Sequence, residues 1–310
     1  MNLKNKKIFL AGHKGMVGSS IHRYLKENNY KNIITVNKDK LNLLNQKDTE
    51  KFIKRIKPDF VIIAAARVGG IYANFKFKAN FIYENIMIQT NLIHSSYKAG
   101  VKKLIFLGSS CIYPKFCKQP IKEEYLLSGK LEETNDAYAI AKIAGVKMCE
   151  AYNKQYNLEY VCLMPTNMYG PNDNYDLRYS HFFPALIKKV FLAKKKKAKK
   201  IDVWGNGKAR REIMYVDDLA SACEFFLKKK THHTLINIGS GEERTVENFV
   251  KFIMKKFSIR IKIKYDKSKP NGTPRKVVST VLAKSYGWKS KFNLDQGFEL
   301  TLKDFFKKNY

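Results

Sequence analysis

No stretch of this chain approaches the roughly 20 consecutive apolar residues that a bilayer-spanning helix requires, so no membrane partner is expected. The basic start, Met1 to Lys7, is followed only by Ile8 to Ala11 before Gly12 interrupts. That run is shorter than the ~7–15-residue apolar core of a signal peptide, and a cytoplasmic location is the expectation. Cysteines are few and odd in number, at positions 111, 117, 149, 162 and 223, with no CxxC pair. A disulfide framework and a zinc finger are both excluded by that spacing, and no metal site is expected. Acidic residues are scarce as well: 27 Asp and Glu against 59 Lys and Arg leave a formal charge of +32. The imbalance admits an anionic partner without saying which. Apolar residues at 45% suffice for a sizeable core, so wholesale disorder is excluded.

What the chain does contain is alternation. Short β-branched runs at Ile8–Ala11, Ile33–Val36, Phe60–Ala64, Lys103–Leu107 and Tyr160–Met164 predict strands. Helical spacing separates them over Met16–Lys26, Asn80–Ala99 and Ala137–Gln155. Strands alternating with helices predict an α/β fold, a doubly wound parallel sheet of Rossmann type covered on both faces. After Pro165 the rhythm changes. A loop at 171–175 precedes short elements: helices over Ser180–Ala193, Tyr215–Leu227 and Thr245–Phe257, and strands at Asp202–Trp204 and Arg260–Lys264. We therefore expect a dinucleotide-binding domain over residues 1–170. Residues 171–310 should form mainly a smaller substrate-binding lobe, with some segments returning to the first domain.

The densest charge run, Lys194–Lys200, has no interleaved aromatics and no recognition motif around it. It reads as a solvated helix end or loop, and no specific nucleic-acid partner is expected. Nucleic-acid binding would rest on net charge alone and would show as steep salt dependence.

The glycine pattern is more informative. Gly12-His13-Lys14-Gly15-Met16-Val17-Gly18 lies where the first strand hands over to the first helix. Glycines there permit a tight turn and let backbone approach a pyrophosphate, while the helix N-terminus offers free N–H groups. An NAD site usually carries an acid at the end of the second strand, to accept from the ribose hydroxyls. This chain has Val36-Asn37-Lys38. Lys38 and Lys14 would neutralise a 2′-phosphate, so NADP(H) is the expected cofactor.

Tyr138 and Lys142 stand four residues apart on a predicted helix and so share a face. A neighbouring ammonium is expected to lower the phenol's pKa toward the working range. Ser109 follows the strand ending at Leu107, where sites collect in α/β folds, and its hydroxyl can bond the same carbonyl oxygen.

Together these features resemble the extended short-chain dehydrogenase/reductase family. The resemblance is carried by Ala11–Gly18, Ala64–Gly70, Leu107–Lys115, Tyr138–Gly145, Met164–Pro171 and Pro270–Lys276, which span nearly the whole chain. The block Gly108-Ser109-Ser110-Cys111 is its most specific part, because dehydratases of the superfamily typically carry Thr-Asp-Glu there and simple 4-epimerases lack the cysteine. The resemblance implies NADPH-dependent conversion of GDP-4-keto-6-deoxy-D-mannose to GDP-L-fucose, by epimerisation at C3 and C5 and reduction at C4, in a homodimer. It implies Cys111 as base and His181 as acid on opposite faces of the sugar, Ser109 and Tyr138 at the C4 oxygen, and Lys142 beside Tyr138. The other cysteines, 117, 149, 162 and 223, read as inert core.

For the cofactor the resemblance implies the loop from Gly12 to Gly18, Lys38, Ala64 and Ala65. It adds Leu107, Gly108, Ser109 and Ser110, Lys142, the segment Pro165-Thr166-Asn167-Met168, and His181. For the GDP-sugar it implies Lys189, Trp204, Arg211 and Asn271. Lys189 stands where Arg is usual and lacks the bidentate fork. Asn271 stands where Asp is usual, which weakens selection of guanine through its N1–H and N2–H₂. Two further readings stay open: an epimerase-reductase for a related nucleotide 4-keto-6-deoxy sugar, and a non-catalytic NADP(H) sensor.

Overall fold

The computed structural model describes residues 3–269 and 272–309. In chain order the first half contains β1 (Ile8–Ala11), α1 (Met16–Glu27), β2 (Ile33–Ile34), α2 (Gln46–Ile56), β3 (Phe60–Ile63), α3 (Ile71–Lys76) and α4 (Lys78–Lys98). These are followed by β4 (Lys103–Leu107), α5 (Asp136–Tyr156) and β5 (Glu159–Pro165). The second half contains β6 (Asn167–Tyr169), α6 (Phe182–Lys195), β7 (Lys200–Trp204), β8 (Arg210–Tyr215), α7 (Val216–Lys228) and β9 (Leu235–Ile238). Next come β10 (Glu243–Thr245), α8 (Val246–Lys256), β11 (Lys262–Asp266), β12 (Arg275–Lys276), α9 (Val281–Tyr286) and α10 (Leu294–Asn309).

The central sheet is parallel throughout, in the order β2-β1-β3-β4-β5-β9. Its inner strands are apolar on both faces because both faces are covered. Alternate residues of one strand point to opposite layers. Ile8 and Leu10 of β1 pack with Ile21 and Leu25 of α1 and with Leu219 and Phe226 of α7. Phe9 and Ala11 join the opposite layer with Ile53 of α2, Leu92 of α4 and Val146 of α5. A third core, around Phe183, Ile187, Ile213, Phe249 and Phe298, belongs to the second half of the chain.

Strand order reverses between β1 and β3, and it is beyond the carboxyl ends of strands at such a point that doubly wound sheets bind ligands. The loop after β1 is shaped for close approach. Gly12 sits at φ +88°, and a Cβ there would lie 2.5 Å from the Ala65 amide nitrogen. A Cβ on Gly18 would lie 2.1 Å from the Gly12 carbonyl oxygen, so α1 packs directly on the turn. Replacing Gly18 with Ala is therefore expected to lift α1 from the loop, costing about 1–3 kcal/mol. Thermal melts should show a midpoint lower by about 2–4 °C per kcal/mol, with the stabilisation by NADP(H) largely lost. Gly15 is the control: its Cβ would meet only the Gly12 oxygen, at 3.7 Å.

Among the described residues no helix is long and apolar enough to cross a membrane.

Candidate active site

One cleft of about 330 Å³ opens between the carboxyl edge of the sheet and the second half of the chain. Ser109, Cys111, Tyr138, Lys142 and His181 all line it. So do Met16, Val17, Ala64, Leu107, Gly108 and Ser110, together with Pro165, Thr166, Asn167 and Met168. Lys189, Trp204 and Arg211 line its far side. The remaining residues of the glycine loop, Gly12, His13, Lys14, Gly15 and Gly18, lie at the β1–α1 junction outside the cleft wall, with Ala65 against Gly12. Lys14 and Lys38 are exposed. Asn271 lies outside the described residues.

The arrangement fits a dinucleotide phosphate. Gly15 is exposed at the N-terminus of α1, which has no side-chain cap, and helix N–H groups there are left to meet a ligand. No acid stands at Val36–Lys38 to repel a ribose phosphate.

Ser109 caps the single 3-10 turn Ser110–Ile112, its Oγ accepting from the Cys111 N–H at 3.2 Å. With an acceptor site of the oxygen used by the backbone, the hydroxyl proton is left to donate into the cleft. Lys142 donates from Nζ to the Leu107 carbonyl at 2.8 Å, which ties α5 to the end of β4. Its ammonium lies 5.8 Å from the Tyr138 ring centroid.

The titration of this pair differs from the sequence expectation. Burial, reinforced by the Cys111 charge, pushes the Tyr138 phenol up rather than down. Burial also draws Lys142 down to about 7. Desolvation disfavours the charged form of each partner and is the largest cause of both shifts. A phenol held neutral is in the protonation state that a proton donor needs.

Burial pushes the Cys111 thiol up, but Lys276, the Ser109 contact and Arg211 outweigh it, leaving the thiol below its ordinary value. His181 is lowered by desolvation in the cleft and by Lys276, so it is neutral at pH 7. His181 occupies the N-cap position of α6 and opens onto the cleft. Lys189 donates to the Asp202 carbonyl at 3.0 Å and lies 5.5 Å from the Trp204 ring centroid.

Cys149, Cys162 and Cys223 are buried, whereas Cys117 is only half-buried. Cys117 lies in the loop beyond the Ser110–Ile112 turn, at the margin of the core and packed against it rather than within it.

Sequence reasoning gave no role to three side chains that line the cleft, Glu132, Asn135 and Lys276. Lys276 belongs to the Pro270–Lys276 block, which is the one sequence signal that marks it. Glu132 and Asn135 precede the tyrosine helix without a pattern of their own.

The family model of the NAD dependent epimerase/dehydratase family matches residues 8–239. GDP-L-fucose synthase 1 of Arabidopsis thaliana is 47% identical over 309 residues, covering 100% of this chain and 95% of the relative. GDP-L-fucose synthase of Escherichia coli is 42% identical over 308 residues, covering 96% of each. Among solved structures, a GDP-mannoheptose C4 reductase from Campylobacter jejuni with NADP bound superposes with a TM-score of 0.88. It is 33% identical, with 97% of this chain and 98% of that one covered.

Proposed function

The chain belongs to the NAD dependent epimerase/dehydratase family, and from that premise we propose that it converts GDP-4-keto-6-deoxy-D-mannose to GDP-L-fucose with NADPH. Bound in the cleft, NADPH supplies the hydride that reduces C4. The protein's own residues do the rest. A 4-keto group acidifies the protons at C3 and C5, and removing either sends an electron pair toward the C4 oxygen. Ser109 and Tyr138 donate hydrogen bonds to that oxyanion. Cys111 takes the proton from one face of the ring, and His181, neutral at rest, takes up a proton from solvent and returns it to the other, inverting the centre. Tyr138 then gives its proton to the C4 oxygen as the alcohol forms, with Lys142 beside it on the same helix face. Lys14 and Lys38 face the 2′-phosphate of the cofactor, while Lys189, Trp204 and Arg211 hold the nucleoside diphosphate.

The observation that carries this reading is the presence of Cys111 and His181 in the same cleft as Ser109, Tyr138 and Lys142. Reduction alone needs only the latter three. Residues 1–170 chiefly serve the cofactor and 171–310 the sugar nucleotide, although α7 and β9 pack in the first domain. Free cysteines support a reducing, cytoplasmic setting. Pairing of two copies through α4 and α5 is supported by the exposed Tyr83 on one helix and Ile140 on the other.

The test uses purified protein and GDP-4-keto-6-deoxy-D-mannose. With NADPH, loss of cofactor absorbance and formation of GDP-L-fucose are expected. In D₂O without reductant, mass spectrometry should show two deuterium atoms entering the sugar. The similarity to a GDP-mannoheptose C4 reductase favours one other reading, reduction without epimerisation. NADPH oxidation with no deuterium uptake would establish that reading instead.

A further inference from the structure

Beyond the five residues expected to handle protons, the cleft holds a cation that none of those roles employs. Lys276 donates from Nζ to the Cys111 sulfur at 3.1 Å, and Asn135 donates from Nδ2 to the same sulfur at 3.4 Å. The two donors come from different elements, Lys276 from β12 and Asn135 from the turn that starts α5.

The backbone around Lys276 is fastened on both sides. β12 pairs with β8 so that Lys276 stands opposite Arg211. The next residues are held by the Val277 N–H donating to Gln119 Oε1 at 3.0 Å and the Val278 N–H donating to Glu212 Oε2 at 2.9 Å. Ile121 adds bonds to the Val277 carbonyl and the Ser279 N–H, each 2.7 Å. Glu212 is itself fully buried, so this anchor is shielded from water. An ordinary surface lysine has no such footing.

We propose that Lys276 is a positioning residue that, with Asn135, holds the Cys111 sulfur as a thiolate aimed into the cleft. The proposal rests on the epimerisation reading. In the step it serves, the C–H bond at C3 or C5 breaks and its proton passes to the sulfur. The electron pair moves onto the C4 oxygen as an enolate, and the charge beside Lys276 is discharged. A thiol already carrying a proton cannot begin that step.

The other groups facing the sulfur are accounted for. Arg211 of β8 adds positive charge, Tyr138 of α5 is neutral at working pH, and Ser109 contributes its hydroxyl. Glu132 is paired with Lys115 at 3.0 Å, which tempers its charge. His181 is kept neutral first by burial and then by Lys276. Lys276 is thus the closest cation to the sulfur.

The direct test is alkylation of the full-length protein with iodoacetamide across pH, following the Cys111 peptide by mass spectrometry so that Cys117 does not interfere. The thiolate exists above its own pKa, so the rate rises with pH through a midpoint below the ordinary thiol value. Lys276→Met should raise that midpoint by about one pH unit and slow alkylation at neutral pH about tenfold. Lys276→Arg, which keeps the charge, should restore most of the rate, and Asn135→Ala should give a smaller shift in the same direction. Should K276M not fold, Lys276→Gln carries the same test. An unmoved midpoint in a folded, NADP-binding K276M or K276Q protein overturns the proposal. Deuterium exchange into the substrate should follow the same midpoints. A shifted alkylation midpoint in a wild-type background that exchanges nothing would uphold Lys276 and overturn the epimerisation reading instead.

Discussion

Cys111→Ser is expected to abolish most solvent exchange at C3 and C5, lowering deuterium uptake by about three orders of magnitude, the middle of what one general base contributes. A serine hydroxyl at neutral pH is far harder to ionise than a thiol, and the cation beside it does not close that gap. Cofactor binding should survive. The Cys111 sulfur bonds Lys276 and Asn135, which belong to β12 and the start of α5 and not to the β1–α1 loop. Ser109 keeps its place too, because its bond to the Cys111 backbone N–H survives the substitution. The variant should therefore still reduce the unepimerised ketone slowly with NADPH, giving a product with C3 and C5 unchanged. Mass spectrometry in D₂O reads the exchange, and the stereochemistry of the reduced sugar reads the rest. Exchange persisting at the wild-type rate in C111S would remove Cys111 from the reaction.

Much of this site was legible before any coordinates because its residues stand at the ends of conspicuous strands. β1, β3 and β4 are apolar runs buried on both faces, so their carboxyl ends, and the Gly12 and Ser109 loops beyond them, could be placed from pattern alone. The four-residue spacing of Tyr138 and Lys142 did the same for α5. Other parts gave weaker signals. α2, Gln46–Ile56, buries only Thr49 and Ile53, and its charged remainder masks the period. Its one clear mark is the Asn45 cap, whose side chain accepts from the Asp48 N–H at 3.1 Å. β9 is four residues, and nothing in Leu235–Ile238 says that it reaches back across the chain to pair with β5. β2 is two residues long where a run to Val36 was expected, since Thr35 and Val36 find no ladder partner.

The role of Lys276 was illegible for a different reason, although the Pro270–Lys276 block marks its position. In a chain with 59 Lys and Arg one more cation carries no information. What singles it out is the β12–β8 pairing, which brings it to Cys111 across 165 positions of sequence. The Tyr138 pKa was misjudged because sequence shows the neighbouring charge but not the depth of burial, and depth dominates here.

Tyr138→Phe separates the two halves of the reaction. The phenol is buried and pushed up, so at neutral pH it carries the proton that the C4 oxygen needs. Phenylalanine keeps the ring and its edge-on packing against Phe81, at 6.3 Å between centroids, so the fold should be unaffected. Reduction at C4 then lacks its donor and should slow by about three orders of magnitude. Epimerisation is affected less. The enolate loses one of two hydrogen bonds, but the Ser109 hydroxyl remains and Cys111 is untouched, so exchange should fall by only about ten- to a hundredfold, less than a strong oxyanion donor's share. Single-turnover NADPH oxidation compared with deuterium uptake in the same Y138F preparation decides the matter. Equal losses in both would mean that Tyr138 serves the enolate and the alcohol alike, and that the donor assignment at C4 is not specific to reduction. A large loss in oxidation beside a modest loss in exchange places the phenolic proton on the C4 oxygen, with Cys111 and His181 working on the ring carbons independently of it.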